Sequence, residues 1–200
     1  MARPLPSFLM EALQSVDLAL LRWLTPWHSS ALDQVMVWIS SAGSGGTVWL
    51  LLGIAALALP RHRAAAWRVF LTIALAYITV DGVIKPIVAR ERPSIAADAP
   101  PRSLPPLPRT YSFPSGHAAS TFGAAVAVSR MWPQTRVLWW TLAVLIGYSR
   151  IYLGHHYPLD VMGGALLGIA LAFWVLGGRH RATYASTLPN PLPAGVVVRP

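Results

Sequence analysis

The sequence predicts an all-α fold, a polytopic membrane helical bundle, and three observations carry that prediction. Charged residues make up only 12% of the 200-residue chain and hydrophobic residues 54%, whereas a soluble domain averages about 25% charged residues. The apolar residues gather in long runs punctuated by Pro, Gly and Arg, the pattern of helices that cross a bilayer. The ionisable residues collect in three short clusters at the ends of those runs: Lys85 through Arg92-Pro93, Pro114-Ser115-Gly116-His117, and Ser149 through Asp160. Ionisable groups at a membrane boundary are costly, so such clusters point to function.

Taken in order, residues 1–30 read as an N-terminal amphipathic segment, 31–178 as the membrane-embedded domain and 179–200 as a disordered, Pro-rich tail. Over residues 8–24, Phe8, Leu9, Leu13, Leu20, Leu21 and Leu24 alternate with polar Glu11, Asp17 and Arg22 at helical spacing. Three charges in so short a stretch favour an interfacial helix over a spanning one, and Trp23 and Trp27 suit an interface belt. No charged n-region or small-residue cleavage site precedes the first apolar stretch, so no cleavable leader is expected. A second short amphipathic helix covers 31–41 and stops at Gly43-Ser44-Gly45-Gly46.

Five spans are expected, six if the N-terminal segment also crosses. The first runs from about Thr47 to Leu59. It is short for the roughly 20 residues a span needs, so it borrows from the helix before it. The second covers about Trp67 to Ile84 and holds Asp81 four residues before Lys85, a spacing that lets the two pair on one helix face. Residues 93–113 are a Pro-rich loop of the length that forms lids or binding loops. The third span begins near His117 and ends near Trp132, the fourth covers about Val137 to Tyr148, and the fifth about Leu159 to Leu176. Gly163, Gly164 and Gly168 on the fifth allow close helix approach.

Alternating the spans puts all three polar clusters on one side. The short connections opposite hold Arg61, Arg63, Arg68, Arg130, Arg136, Arg179 and Arg181. By the positive-inside rule that side is cytoplasmic. The expected location is therefore the cell's inner (plasma) membrane, multi-pass, with the clusters facing the extracytoplasmic side. The formal net charge is +9, almost all of it Arg. Because the basic residues are scattered between hydrophobic runs, nucleic acid is not an expected partner. With no cysteine in the chain, disulfides and thiolate metal sites are excluded.

The three clusters make chemical sense as one site. Lys85 and Arg92 are seven residues apart, two helical turns, so both can point at one spot if the helix continues. Arg150 adds a third cation. Guanidinium forks match phosphate oxygens bidentately, and Lys acts as a point charge. Ser115 and Gly116 precede a helix, where backbone N–H groups attract anions. Each cation alone is equally well explained as a snorkelling residue at the membrane edge; together they make a pocket for a tetrahedral oxyanion. His156 lies four residues before Asp160, and Pro158 between them suits a helix start. Asp160 can orient the imidazole, and an oriented neutral histidine beside bound phosphate can attack phosphorus. His117 can protonate the leaving oxygen and then activate water. His155 reads as a structural bystander. Two histidines and an aspartate could also hold a metal, but the surrounding cations oppose one and no HExxH-type pair is present; no cofactor is expected.

The motifs Lys85-(six residues)-Arg92-Pro93, Pro114-Ser115-Gly116-His117 and Ser149-Arg150-(five residues)-His156-(three residues)-Asp160 resemble the three-part signature of the type 2 phosphatidic acid phosphatase and vanadium haloperoxidase superfamily. The signature covers about residues 85–160, and the hydrophobic pattern extends the likeness to 31–178. Residues 32–45 also resemble the N-terminal part of small bacterial members. The resemblance implies a membrane lipid phosphatase without metal. In it His156 is the nucleophile, Asp160 its partner and His117 the general acid, while Lys85, Arg92, Ser115, Gly116 and Arg150 bind phosphate. The implied partner is a lipid phosphate held in the bilayer. Undecaprenyl diphosphate fits best, with phosphatidic acid, phosphatidylglycerol phosphate and lipid A phosphate as rivals. A vanadium haloperoxidase would share the pocket but leave the spans unexplained. A non-enzymatic anion transporter would leave the ordered His–Asp pair unexplained.

Overall fold

A computed structural model describes residues 7–93 and 110–177. The C-terminal tail and most of the Pro-rich loop lie outside the described residues. Within them every regular element is helical: α1 (Ser7–Leu24), α2 (Ser30–Gly43), α3 (Thr47–Leu57), α4 (Arg63–Tyr77), α5 (Lys85–Val88), α6 (Gly116–Met131), α7 (Arg136–Tyr152) and α8 (Pro158–Gly177). Short 3-10 turns cover Ser44–Gly46, Pro60–His62 and Pro133–Thr135, and a π-helical segment, Ile78–Ile84, joins α4 to α5.

Among the described residues three helical rods are long and apolar enough to cross a membrane: Ser30–Leu57, Pro60–Val88 and Pro158–Gly177. The 16-residue α6 and 17-residue α7 occupy the expected third and fourth spans. The first rod joins α2 to α3, as the short apolar run required. The joint is a kink at Gly45 (φ 61°) and Gly46 (φ 72°), a left-handed conformation that glycine adopts without a Cβ penalty.

α6 is the central helix and packs against α8, α4 and α7. Its sequence, GHAASTFGAAVAVSRM, is rich in small residues, and most of it is buried. Small side chains let backbones approach closely in a medium that offers no hydrophobic drive between helices. α8 meets it with matching glycines. A Cβ on Gly168 would fall inside the Ala119 carbonyl, and one on Gly164 would overlap the Ser115 carbonyl and sit 3.1 Å from the Ala118 Cβ. This close crossing brings the start of α6 against the start of α8. Trp49, Val69, Ile73, Val128 and Met131 fill the core beside it. Leu51, Ile54, Trp67, Ile78, Val137, Leu166 and Trp174 are exposed on the outer surface, an apolar belt suited to lipid rather than water.

Two expectations are corrected here. α5 ends at Val88, because Ala89 turns left-handed (φ 47°, ψ 34°). The helix therefore does not carry Lys85 and Arg92 together, and Arg92 arrives on an irregular segment. Asp17, expected on the polar face of α1, is fully buried where α1 packs on α7 and α8.

Candidate active site

The three sequence clusters meet at one end of the bundle, while the loops at the other end come together around His62 and Trp132, whose rings are 5.2 Å apart. Each cluster sits where a helix starts or stops. Lys85 follows the π-helical segment and is buried; its Nζ donates to Asp81 Oδ1 at 2.6 Å, the pair expected from the spacing. π-helical turns inside helices often sit at functional sites. Ser115 caps α6 by accepting from the Ala118 N–H at 3.3 Å, the usual role of a serine at that position. Its own N–H donates to the Asp160 carbonyl at 2.9 Å. Gly116 lies beside Asp81: a Cβ there would sit 3.5 Å from Asp81 Oδ2. His117 occupies the first turn of α6, with Nε2 3.2 Å from Ser44 Oγ. It stands within electrostatic reach of Arg150, His156, His155 and Lys85.

The turn between α7 and α8 holds the rest. Arg150 is buried at the end of α7, and its Nη1 donates to Ser40 Oγ at 2.5 Å. Its carbonyl accepts from the N–H groups of His155 and His156 at 3.0 and 3.2 Å, and Gly154 turns left-handed (φ 65°), so the two histidines fold back toward Arg150. His156 is buried with its two nitrogens facing different partners. Nε2 lies 3.3 Å from Arg92 Nη1, and Nδ1 lies 3.7 Å from Asp160 Oδ2, an ion-pair separation longer than a hydrogen bond. Burial pushes the His156 imidazole down to about 3; Asp160 opposes that shift, and Arg92 and Arg150 add to it. The ring is therefore neutral at physiological pH, as a nucleophile or base must be.

Arg92 is fixed from several directions. Its Nε donates to the Thr110 carbonyl at 2.7 Å, its Nη2 to Thr110 Oγ1 at 2.9 Å, and its Nη1 to the His155 carbonyl at 2.5 Å. Burial lowers its guanidinium from the ordinary value, while Asp160 and Asp81 pull the other way. His155, read as a bystander, thus contributes its carbonyl to the site.

Asp160 is completely buried and anchored on both oxygens. Oδ2 accepts from the Tyr157 N–H at 2.9 Å and from Ser112 Oγ, and Oδ1 accepts from Arg90 Nη1 at 2.6 Å. As an acidic residue in the first turn it also satisfies an orphan amide at the start of α8. Arg90, Ser112, Asp17, Ser40 and Ser44 carried no sequence signal for the site. Their partners lie far along the chain, and only the fold brings them together.

The arrangement suits chemistry on an anion: a buried neutral imidazole, a carboxylate behind it held by Arg90, a second histidine nearby, and Lys85, Arg92 and Arg150 around them. Among the described residues no group of three His, Cys, Asp or Glu side chains could hold a metal ion.

The chain is similar to several known proteins. The chain is 35% identical to an undecaprenyl-diphosphatase of Sulfolobus acidocaldarius over 148 residues, 72% of this chain and 69% of that protein. It is 30% identical to undecaprenyl-diphosphatase BcrC of Bacillus subtilis over 149 residues, 73% of this chain and 74% of that protein. The crystal structure of a transmembrane PAP2 type phosphatidylglycerolphosphate phosphatase from Bacillus subtilis superposes with a TM-score of 0.69 at 26% identity, covering 85% of this chain and 87% of that one. The model of the PAP2 superfamily matches residues 65–184, and this chain belongs to that superfamily.

Proposed function

We propose that this chain is a membrane lipid phosphatase that removes the terminal phosphate of undecaprenyl diphosphate through a phosphohistidine intermediate. The observation that carries the reading is the placement of His156, with Nε2 beside the Arg92 guanidinium at 3.3 Å and Nδ1 toward Asp160 at 3.7 Å. In this reading Lys85, Arg92, Arg150 and the N–H groups at Ser115 and Gly116 hold the terminal phosphoryl group. His156 Nε2 forms a bond to phosphorus as the bond to the bridging oxygen breaks, and Asp160 steadies the charge that develops on the ring. His117, entering the step as an imidazolium beside the negative charge of the substrate, gives its proton to the departing oxygen and becomes neutral. Water then attacks phosphorus and gives a proton to His117; the P–N bond breaks, releasing inorganic phosphate and neutral His156.

The apolar belt supports a lipid substrate, because the tail can stay in the bilayer while the head group enters the polar end. The two undecaprenyl-diphosphatase relatives support the diphosphate. The phosphatidylglycerolphosphate phosphatase neighbour favours a second reading, a lipid phosphomonoesterase. The arginines of the opposite connections support a plasma-membrane orientation with the site on the extracytoplasmic side.

The test is phosphate release by the purified full chain from undecaprenyl diphosphate, phosphatidylglycerol phosphate, phosphatidic acid and lipid A phosphate, each with excess EDTA. Undecaprenyl diphosphate is expected to turn over fastest, with no effect of EDTA, and His156→Ala to abolish release while the protein still folds. Undiminished release by that variant would sink the mechanism. Faster turnover of a monoester would move the assignment to the second reading.

A further inference from the structure

Behind Asp160, on the side away from His156, lies a second charged pair that the proposed mechanism does not use. Arg90 bridges two carboxylates, with Nη1 2.6 Å from Asp160 Oδ1 and Nη2 2.6 Å from Asp17 Oδ2. Both carboxylates have no exposed side-chain surface, and Arg90 is mostly buried. The guanidinium also lies 4.2 Å over the Tyr157 ring, a stacking geometry that Arg supports and that adds to its rigidity. Asp17 makes a further contact with the same turn, as its Oδ1 accepts from the Leu159 N–H at 2.9 Å. The backbone of Arg90 closes a second route: its carbonyl accepts from the Ser112 N–H at 2.8 Å, and Ser112 Oγ in turn donates to Asp160.

These contacts come from four separate parts of the chain: α1, the segment after α5, the segment before α6, and the start of α8. A buried arginine between two buried carboxylates costs desolvation, which good geometry has to offset. Here each Nη group points at a carboxylate oxygen at charge-assisted hydrogen-bond length. We infer that Arg90 and Asp17 are positioning residues for the nucleophilic step, holding the Asp160 carboxylate in the orientation that His156 needs. Arg90 does so directly and Asp17 through Arg90 and Leu159. The inference rests on the assignment of His156 and Asp160 proposed above. It gives α1 a part in the reaction, although the sequence shows only an interfacial helix there.

The experiment uses the full chain, undecaprenyl diphosphate as probe, and steady-state and single-turnover kinetics. Asp17→Asn keeps the shape of the side chain and removes its charge. It is expected to lower kcat by about 10- to 100-fold, the cost of a misaligned reacting group, with KM changed by less than about twofold and phosphoenzyme formation slowed in step. Arg90→Lys, which keeps the charge but cannot fork to both carboxylates, is expected to show the same split. Arg90→Gln would leave two buried carboxylates uncompensated and is expected to fold poorly, so Arg90→Lys and Asp17→Asn carry the test. In an Asp160→Asn background, Asp17→Asn should cost less than about a further twofold in kcat, because residues acting as one unit are not additive.

A folded Asp17→Asn or Arg90→Lys enzyme with wild-type kcat overturns the inference. So does a full multiplicative loss in the double variant, which would mark Asp17 as structural only. Loss of activity in His156→Ala and Asp160→Asn alongside a wild-type Asp17→Asn defeats this inference alone. Retained activity in His156→Ala defeats the underlying mechanism as well.

Discussion

Arg92 Nη1 lies 3.3 Å from His156 Nε2 and 2.5 Å from the carbonyl of the neighbouring His155. One guanidinium thus touches both the ring proposed to attack phosphorus and the backbone that carries it. Contacts with Thr110 and Tyr111 orient the rest of the guanidinium, and in the proposed reaction the Nη1 contact with His156 gives way to a phosphoryl oxygen. Arg92→Lys keeps a positive charge but forfeits the fork. The expected result is a fall in kcat/KM of about 100-fold, equivalent to about 2.7 kcal/mol of transition-state stabilisation, measured by phosphate release under subsaturating substrate.

The buried His156 makes stability depend on pH in a defined direction. Its folded value is pushed down to about 3, whereas an unfolded histidine titrates near about 6.5. Between those values the unfolded chain binds a proton that the folded chain refuses, so stability rises with pH across that window. The contribution is fully present above about 6.5 and is lost as pH falls through the folded value. Thermal midpoints in detergent should therefore decline as pH is lowered over this range. His156→Gln should flatten that decline, and an unchanged slope in the variant would assign it to other groups.

The α6–α8 crossing leaves no room for a side chain at Gly168, where a Cβ would meet the Ala119 backbone. Backbone cannot rotate away as a side chain can. Gly168→Ala is expected to destabilise the protein by on the order of 1–3 kcal/mol, the usual cost of overpacking, read as a lower thermal midpoint. Because the same crossing holds the Ser115 N–H against the Asp160 carbonyl, kcat should fall together with stability. Gly177→Ala, where a Cβ would meet nothing within 4 Å, is the control expected to leave both unchanged.

The chain contains no cysteine, so single introduced thiols report membrane sidedness without background. Tyr111 is exposed near the site and Gln134 is exposed on the opposite turn. In intact cells or spheroplasts, Tyr111→Cys should react with a membrane-impermeant maleimide and Gln134→Cys should react only after permeabilisation. The reverse pattern would place the site on the cytoplasmic side.

The proposed site was legible in the sequence where its chemistry is unusual for its surroundings. Lys85, Arg92, His117, Arg150, His156 and Asp160 are polar residues at the ends of apolar runs, and Asp160 and Lys85 each lie one helical turn from a visible partner. The route of Arg92 was not legible, because Ala89 adopts φ 47° without the glycine or asparagine that usually marks such a turn. Arg90 was also hidden. Its partners Asp17 and Asp160 are 73 and 70 residues away, and nothing local distinguishes it from an ordinary membrane-edge cation. Asp17 misled for a related reason: helical periodicity separates polar from apolar faces, but it cannot tell a carboxylate facing water from one facing a buried guanidinium. The helices themselves were legible because their apolar runs and their Gly and Pro stops are local properties.

The π-helical segment Ile78–Ile84 has a consequence for how this family member can change over time. Each residue added to or removed from a helix rotates everything beyond it by about 100°, and a π-helical turn is a place where such a change of register has been absorbed. Deleting one residue there would restore ordinary helical winding and still preserve a span-length apolar rod. A second deletion would find no such slack and would swing Lys85 about 100° around the axis, away from His117. Changes of length beyond that one residue are therefore tolerable to the membrane and intolerable to the pocket, which puts chain length between Tyr77 and Lys85 under constraint together with the identity of Asp81, the partner of Lys85.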